Sequence, residues 1–354
     1  NFDENLVYVE NIQVYRPFLV RAGEQEGLSF INPDMVGGVE FSSGGWQPKY
    51  GDKLSSVLNV TYRQPARSGG SLTLGLLGGS LHAEGTSTNK KFRFSAGARH
   101  KSSRYLLGTL ETDGEYLPRF TDVQSWLTWD LSGKNRQPGT TTLGLLTSYA
   151  RNRYSLEPES RTTTFGTFNQ VFRLNVLFTG NEELSYDTFQ GGLKLSHFFS
   201  DSFRSDFILS AMGTREREFI NVEGGYRLCD VNTSFGTPDF NECVLVRGFG
   251  SEFRYGRNLL NARIFSAESR NEWEINTRWR MDFGLRLDLE KVEDELYEYT
   301  FLDSADFVQS TDLLLSSNVI ESQRLSGYWQ TGLEIAGNQQ LTAGVRFQYW
   351  SLNN

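Results

Sequence analysis

Over most of the chain apolar and polar residues alternate with a period of two, the spacing of a strand with one apolar face. The longest run places Ile275, Thr277, Trp279, Met281, Phe283, Leu285, Leu287 and Leu289 on one face. Asn276, Arg278, Arg280, Asp282, Gly284, Arg286, Asp288 and Glu290 fall on the other. It predicts one strand over 275–290, far longer than the five or six residues usual in a globular sheet. Similar runs come in pairs joined by short polar turns. Val123, Ser125, Leu127, Trp129 and Leu131 lead into a turn at 132–138, from which Thr141, Leu143, Leu145, Thr147 and Tyr149 depart. Leu193, Leu195, His197 and Phe199 reach Ser200-Asp201-Ser202, and Phe203, Phe207, Leu209 and Ala211 return. Gly327, Trp329, Thr331, Leu333 and Ile335 turn at Gly337-Asn338 into Leu341, Ala343, Val345, Phe347 and Tyr349.

The opposite ends of these strands join through polar stretches, about residues 100–121, 156–186, 227–247 and 298–322. These read as long loops. Short turns at one end and long loops at the other is the asymmetry of an outer-membrane β-barrel. After residue 66 the pattern predicts about eleven strands. The first two share Gly70–Gly85, with the reversal expected at Gly78-Gly79. The last, Gln340–Trp350, has no following strand to pair with. An open edge in lipid leaves backbone groups unsatisfied, and single-chain bacterial barrels usually have an even strand count. The expectation is therefore a fragment, with further strands beyond its end.

Residues 1–66 lack the long alternation. They read as short strands with Gly-rich turns: Leu6–Val9, Gln13–Tyr15, Gly38–Phe41 and Val57–Val60. This is a small mixed α/β domain, cut at its start. The chain thus divides into 1–66 and 67–354.

Composition narrows the class. No stretch approaches the roughly 18–20 apolar residues of a membrane-spanning helix, and the mean hydropathy is -0.44. A barrel is compatible with that, because lipid-facing and lumen-facing residues average out. Aromatic residues make up 14% of the chain, enough for a soluble core or for aromatic girdles at two membrane interfaces. The net charge of -8 opposes nucleic-acid binding, which needs a cationic surface. Arg outnumbers Lys by 27 to 8, which suits paired or lumenal cations. Cys229 and Cys243 lie in one predicted loop and point to a disulfide in an oxidising compartment. The start, Asn1-Phe2-Asp3-Glu4, has neither the basic region nor the apolar core of a signal peptide, so an exported protein would begin upstream.

Enzyme chemistry finds little support. His82, His100 and His197 are far apart and have no metal-ligand spacing. His197, on the apolar parity near a short turn, reads as interfacial. The acidic residues of Glu290–Glu298 and Glu182-Glu183 could pair for glycoside hydrolysis or bind calcium, but no acidic loop fits an EF-hand spacing and they read as a solvated strand end or loop. The glycines of 75–79 lack the Lys-Ser/Thr of a phosphate loop. No catalytic residue, metal or cofactor is expected. Arg278, Arg280, Asp282, Arg286, Asp288 and Glu290 would face the barrel interior, either pairing with the small domain or forming a polar path.

One segment is distinctive. Asn32-Pro33-Asp34-Met35-Val36 leads into Val39-Glu40-Phe41, Gly44-Gly45-Trp46, Tyr50-Gly51, Ser55-Ser56 and Val57-Leu58-Asn59-Val60. It resembles the plug of TonB-dependent receptors, most closely their Bacteroidetes branch. Gly44, Gly45 and Gly51 would permit tight turns with positive φ. Weaker likenesses follow at Arg161–Thr167, Asp282–Arg286 and Phe347–Trp350. The chain departs from a whole family member in lacking the TonB box, the first part of the plug and the last strands.

The resemblance implies the C-terminal part of a plug followed by about eleven strands of a barrel of roughly 22. It implies active nutrient uptake across a Gram-negative outer membrane, driven by TonB and the inner-membrane energising complex. The ligand would be a siderophore, glycan, peptide or vitamin, and a surface lipoprotein is a further candidate partner. The plug segment Arg16–Gly27 would face outward and offer Tyr15, Arg16, Phe18, Arg21, Glu24 and Gln25 to substrate, or simply pack against the wall. Three other readings compete: a passive barrel (porin or adhesin), a secreted β-sandwich or propeller, and a β-rich hydrolase.

Overall fold

The computed structural model describes residues 4–15, 29–43, 47–51, 53, 55–102, 114–116, 118–132, 139–167, 170–304, 307–336 and 339–353. They form two sheets. In the smaller, β1 (Asn5–Val9), β2 (Ile12–Val14), β3 (Val36–Ser42) and β4 (Ser56–Tyr62) lie in the order β2-β1-β4-β3. The β1–β4 pair is parallel, so the sheet is mixed in strand direction. The expected α/β character is not seen among the described residues of this unit. Its helical element is a 3-10 turn, Pro33–Met35, started by Asn32 Oδ1 accepting from the Asp34 amide at 3.1 Å.

The larger sheet is antiparallel throughout. Its strands are β5 (Gly69–Gly75), β6 (Gly78–Thr86), β7 (Phe92–Ser102), β8 (Gly114–Tyr116), β9 (Arg119–Asp130), β10 (Thr141–Pro158) and β11 (Arg161–Thr167). They continue with β12 (Gln170–Phe198), β13 (Phe203–Val231), β14 (Cys243–Asn276), β15 (Trp279–Ser304), β16 (Phe307–Ala336) and β17 (Gln339–Leu352). Eleven of them follow one path from β5 to β17, with β8 and β11 attached at the side. The predicted hairpin pairings hold: Leu143 faces Trp129, Leu195 faces Phe207, and Trp329 faces Val345.

Three expectations need correction. The run 275–290 is not one strand, because Asn276 Oδ1 accepts from the amides of Arg278 and Trp279 and turns the chain between β14 and β15. Alternation continues across this turn, so periodicity alone does not reveal it. The first reversal is at Leu76-Leu77, not Gly78-Gly79, although Gly78 adopts a φ of 140° beside it. Among the described residues, most of the expected long loops are strand. The β14 strand is 34 residues long, and β15 and β16 continue through most of 298–322. Beyond the apolar band apolar and polar residues no longer alternate strictly, as at Leu313-Leu314-Leu315 on β16, and backbone pairing proceeds without that signature.

Burial on the larger sheet is inverted relative to a soluble fold. The alternate face carrying Leu193, Leu195, Phe207, Leu209, Leu285, Leu287 and Leu289 is exposed, and Leu209 is 58% accessible. The other face buries Gln124, Ser148, Thr188, Gln190, Asp206, Arg270 and Asp288. On β15 the outward apolar positions run from Trp279 to Leu289, on β16 from Leu325 to Ile335, and from Phe189 on β12 to Phe199 just past its end. At about 3.3 Å per residue and a tilt near 40°, such a run spans about 25 Å, the height of the apolar band of an outer-membrane barrel. Rings mark its short-turn edge: Phe92 with Trp129 at 5.2 Å, and Phe199 with Phe203 at 5.5 Å. His197 sits there too, bonded through Nδ1 to Thr141 Oγ1 at 2.8 Å.

At the other end of the sheet a disulfide joins Cys229 to Cys243 across the β13–β14 hairpin, with Cα atoms 5.6 Å apart. It closes a loop over a sequence separation of 14, worth up to about 3 kcal/mol in chain entropy. The Cys229→Ser/Cys243→Ser protein is therefore expected to be cut by chymotrypsin at Phe235 about tenfold faster, while the apolar band stays protected. Unchanged cleavage would mean that strand pairing alone holds the tip.

Candidate functional site

The small sheet packs on the polar face of the large one. Val7, Val9, Ile12, Val14, Phe30, Met35, Val60 and Tyr62 share one core with Phe120, Trp126, Leu146, Ala150 and Ile208 of the wall. Close approach requires glycine on the wall: a Cβ at Gly192 would collide with Ile12, and one at Gly97 with Asn32. Burying a side chain such as Ile12 contributes about 1.5–3 kcal/mol.

Three polar clusters fix this packing. In the first, Arg99 donates to Asp122 through Nε at 2.7 Å and Nη2 at 2.9 Å. Its Nη1 donates to the Ile31 carbonyl at 3.0 Å and its Nη2 to that of Ser29 at 3.0 Å. Gln124 donates to the Phe30 carbonyl and accepts from the Tyr62 hydroxyl at 2.6 Å. In the second, Lys194 Nζ lies 4.0 Å from Glu10 and 3.8 Å from Asp206, which Arg204 also holds at 3.0 Å. Glu10 accepts from the Tyr62 amide at 2.7 Å. Burial pushes the Glu10 carboxyl above its ordinary range, and the Lys194 charge opposes that shift. In the third, the Tyr15 hydroxyl meets Arg286 Nη2 at 2.5 Å, Ser266 at 2.9 Å and Asp288 at 3.1 Å. Burial raises the Tyr15 phenol well above its usual value, and the Arg286 charge works against it.

The residues expected to face the interior divide accordingly. Arg286 and Asp288 hold Tyr15. Arg280 pairs with Asp282 at 3.0 Å and Glu272 at 3.2 Å, and Glu290 receives Arg324 at 2.6 Å. Arg278 is a correction: it lies in the β14–β15 turn and not on the polar face. Arg16, Phe18, Arg21, Glu24, Gln25, Gly44 and Gly45 lie outside the described residues. Tyr50 packs on Tyr8 with centroids 5.3 Å apart, Ser55 bonds Glu4 at 2.7 Å, and Ser56 bonds Asn5 at 2.6 Å. Gly51 does not take the expected positive φ; it is small because the Arg346 guanidinium lies against it.

Further along the same face, away from the short turns, is a cavity of about 500 Å3. It begins one strand step beyond the small sheet: Ala150 belongs to the shared core, and Asn152 lines the cavity. Tyr154, Tyr186, Glu182, Glu218 and Asp294 also line it. Asn258 bridges Glu218 at 3.0 Å and Glu298 at 2.5 Å. Asn152 is 4% accessible, and its Oδ1 has no hydrogen-bond donor among the described residues. A buried acceptor left open at a cavity wall is costly unless a ligand or water supplies the donor.

No family model and no curated protein sequence matches the chain. Among solved structures it is similar to BauA, the ferric preacinetobactin receptor from Acinetobacter baumannii. The TM-score is 0.57 at 12% identity, over 99% of this chain and 50% of BauA. Over that length the chain shares the fold of this receptor. The chain spans about half the length of BauA. Fiu, the ferric-catecholate import receptor from E. coli K12, aligns with a TM-score of 0.40 at 11% identity, over 98% of this chain and 68% of Fiu.

In a wall of this fold the apolar band and the polar inner face follow one parity rule, and that rule would have found the cavity. Asn152, Tyr154, Tyr186 and Glu218 occupy the inner parity just past the band on β10, β12 and β13. Glu182 and Asp294, read from sequence as solvated strand ends, line the cavity instead. What hid Glu182 was the treatment of 156–186 as a loop, which has no inner face.

Proposed function

We propose that the chain is the plug end and first barrel half of a TonB-dependent transporter in a Gram-negative outer membrane, of the Bacteroidetes type by its likeness at residues 32–60. Residues 1–66 are the C-terminal part of the plug, and 67–354 the N-terminal half of the wall. One observation carries this reading: a small sheet is docked on the polar face of a wall whose other face is apolar and uncovered. A soluble sandwich would bury that apolar face instead.

Nutrient enters from the side opposite the short turns and meets the cavity above the plug. The open acceptor of Asn152, the carboxylates and the two tyrosines favour a ligand rich in hydrogen-bond donors. A ferric siderophore is one such class, and BauA is named for one. TonB and the inner-membrane complex supply the work from the periplasmic side, and the wall residues perform no covalent step. The plug segment from Tyr15 through Arg16, Phe18, Arg21, Glu24 and Gln25 remains a candidate contact for the same ligand.

Uptake by cells that depend on this protein should collapse on deletion of TonB or on dissipating the inner-membrane proton gradient. Uptake that persists in both cases would establish a passive barrel. Within the cavity, Asn152→Leu keeps the volume and removes the acceptor. It is expected to weaken ligand retention about tenfold, the cost of one lost hydrogen bond to a buried group, with the amount of folded protein unchanged.

A further inference from the structure

Five arginines crowd one patch on the outer face of the wall, just past the apolar band. On the adjacent strands β9, β10, β12 and β13 the register aligns Thr121, Arg151, Asp187 and Arg215. One step further from the band it aligns Arg119, Arg153, Ser185 and Arg217. Strand alternation puts all eight on the face of Tyr149 and Phe189, which are exposed at the edge of the band. With strands about 4.8 Å apart, the patch measures about 15 Å by 7 Å.

Asp187 is the one carboxylate in these two rows. It receives Arg151 at 2.7 Å and the Tyr149 hydroxyl at 2.9 Å, and Arg217 lies within its electrostatic reach. Arg215 donates to Asn261 at 3.0 Å. Arg119, Arg153 and Arg217 have no ion-pair partner among the described residues. The next outward carboxylates are Glu183, one row further from the band, and Glu293 and Glu295 on β15, which face Asn261 and Leu259. Solvated arginines are common on any surface. Here, however, they concentrate in a chain whose net charge is -8, and they stand where an apolar face ends. That is the level of lipid headgroups, and guanidinium groups match phosphate oxygens in charge and in bidentate geometry.

We propose that this patch binds the phosphates of an anionic lipid whose acyl chains lie against Tyr149, Phe189 and the band below them. The proposal rests on the membrane reading above. Arg153 and Arg217 are the principal contacts, and Arg151 is partly neutralised by Asp187.

The test uses the purified full-length protein in neutral detergent, titrated with lipid A and with lipid A stripped of its phosphates, and bound lipid is counted by native mass spectrometry. Each cation close to an anionic lipid surface is worth about fivefold in affinity. Arg153→Gln/Arg217→Gln should therefore weaken lipid A binding about 25-fold. Arg263→Gln/Lys291→Gln, outward cations of the same edge but off the patch, should stay within about twofold. Equal binding of the phosphate-free lipid, or an unaffected Arg153→Gln/Arg217→Gln protein, overturns the proposal. So does full displacement of lipid A by inorganic phosphate, which would mark a simple anion site. Flotation with phosphatidylcholine vesicles separates the two levels. A protein that floats but ignores lipid phosphates refutes the patch alone, whereas one that does not float refutes the membrane reading.

Discussion

Replacing Asp122 with alanine is expected to loosen the small sheet from the wall by about 3–5 kcal/mol, the usual cost of stranding one member of a buried ion pair. Asp122 is fully buried, and Arg99 is 8% accessible. Without the carboxylate, the guanidinium keeps only the carbonyls of Ser29, Phe30 and Ile31 in a site closed to water. Those carbonyls belong to the small unit and Arg99 to the wall, so the loss falls on the contact between them. Gln124 also loses a partner, because it donates to Asp122 at 2.9 Å. The expected readout is rapid proteolysis within residues 1–66 while the strands of the wall remain resistant. Asp122→Asn should cost less, since it keeps an acceptor for Arg99. Equal protease resistance in Asp122→Ala and the parent would mean that the apolar core alone holds the small unit.

Much of this architecture was legible in the sequence because two solvents meet at the wall. Where one face touches lipid and the other a polar interior, residues must alternate, and the eleven-strand path and its short turns follow from that contrast. The same logic explains the misreadings. Past Leu289 the outward positions become Lys291 and Glu293, the contrast between the faces is lost, and the pattern stops while the backbone pairing to β16 goes on. At Thr277-Arg278 the pattern runs straight through a turn, because the bulge between Glu274 and Asn276 restores the parity that a two-residue reversal alone would flip. The contacts that hold the small unit were only partly visible. Arg286 and Asp288 stood out on a charged strand face, but Arg99, Asp122 and Lys194 are single polar residues among alternating neighbours. Their importance comes from partners more than 50 residues away in sequence, Ile31 for Arg99 and Glu10 for Lys194.

On the proposed transporter reading, joining the small sheet to the wall covalently should abolish uptake without harming the fold. Ile12 lies directly over Gly192: its Cγ1 and Cγ2 would be 3.1 and 3.2 Å from a Cβ built at that glycine. A cysteine at each position would therefore bring the two Cβ atoms close to the separation of a disulfide, about 3.5–4.5 Å. The bond closes a loop over about 180 residues, which in chain-entropy terms adds roughly 5 kcal/mol to the resting arrangement. If transport requires the small unit to leave its site on the wall, the oxidised Ile12→Cys/Gly192→Cys protein should take up nutrient at less than a tenth of the parent rate. Ligand binding at the cavity should be unchanged, because Gly192 pairs with Leu146, six residues along β10 from Asn152. A membrane-permeant reductant should restore uptake within the same cells, which separates a mechanical lock from a folding defect. Full uptake in the oxidised protein would show that the path opens elsewhere.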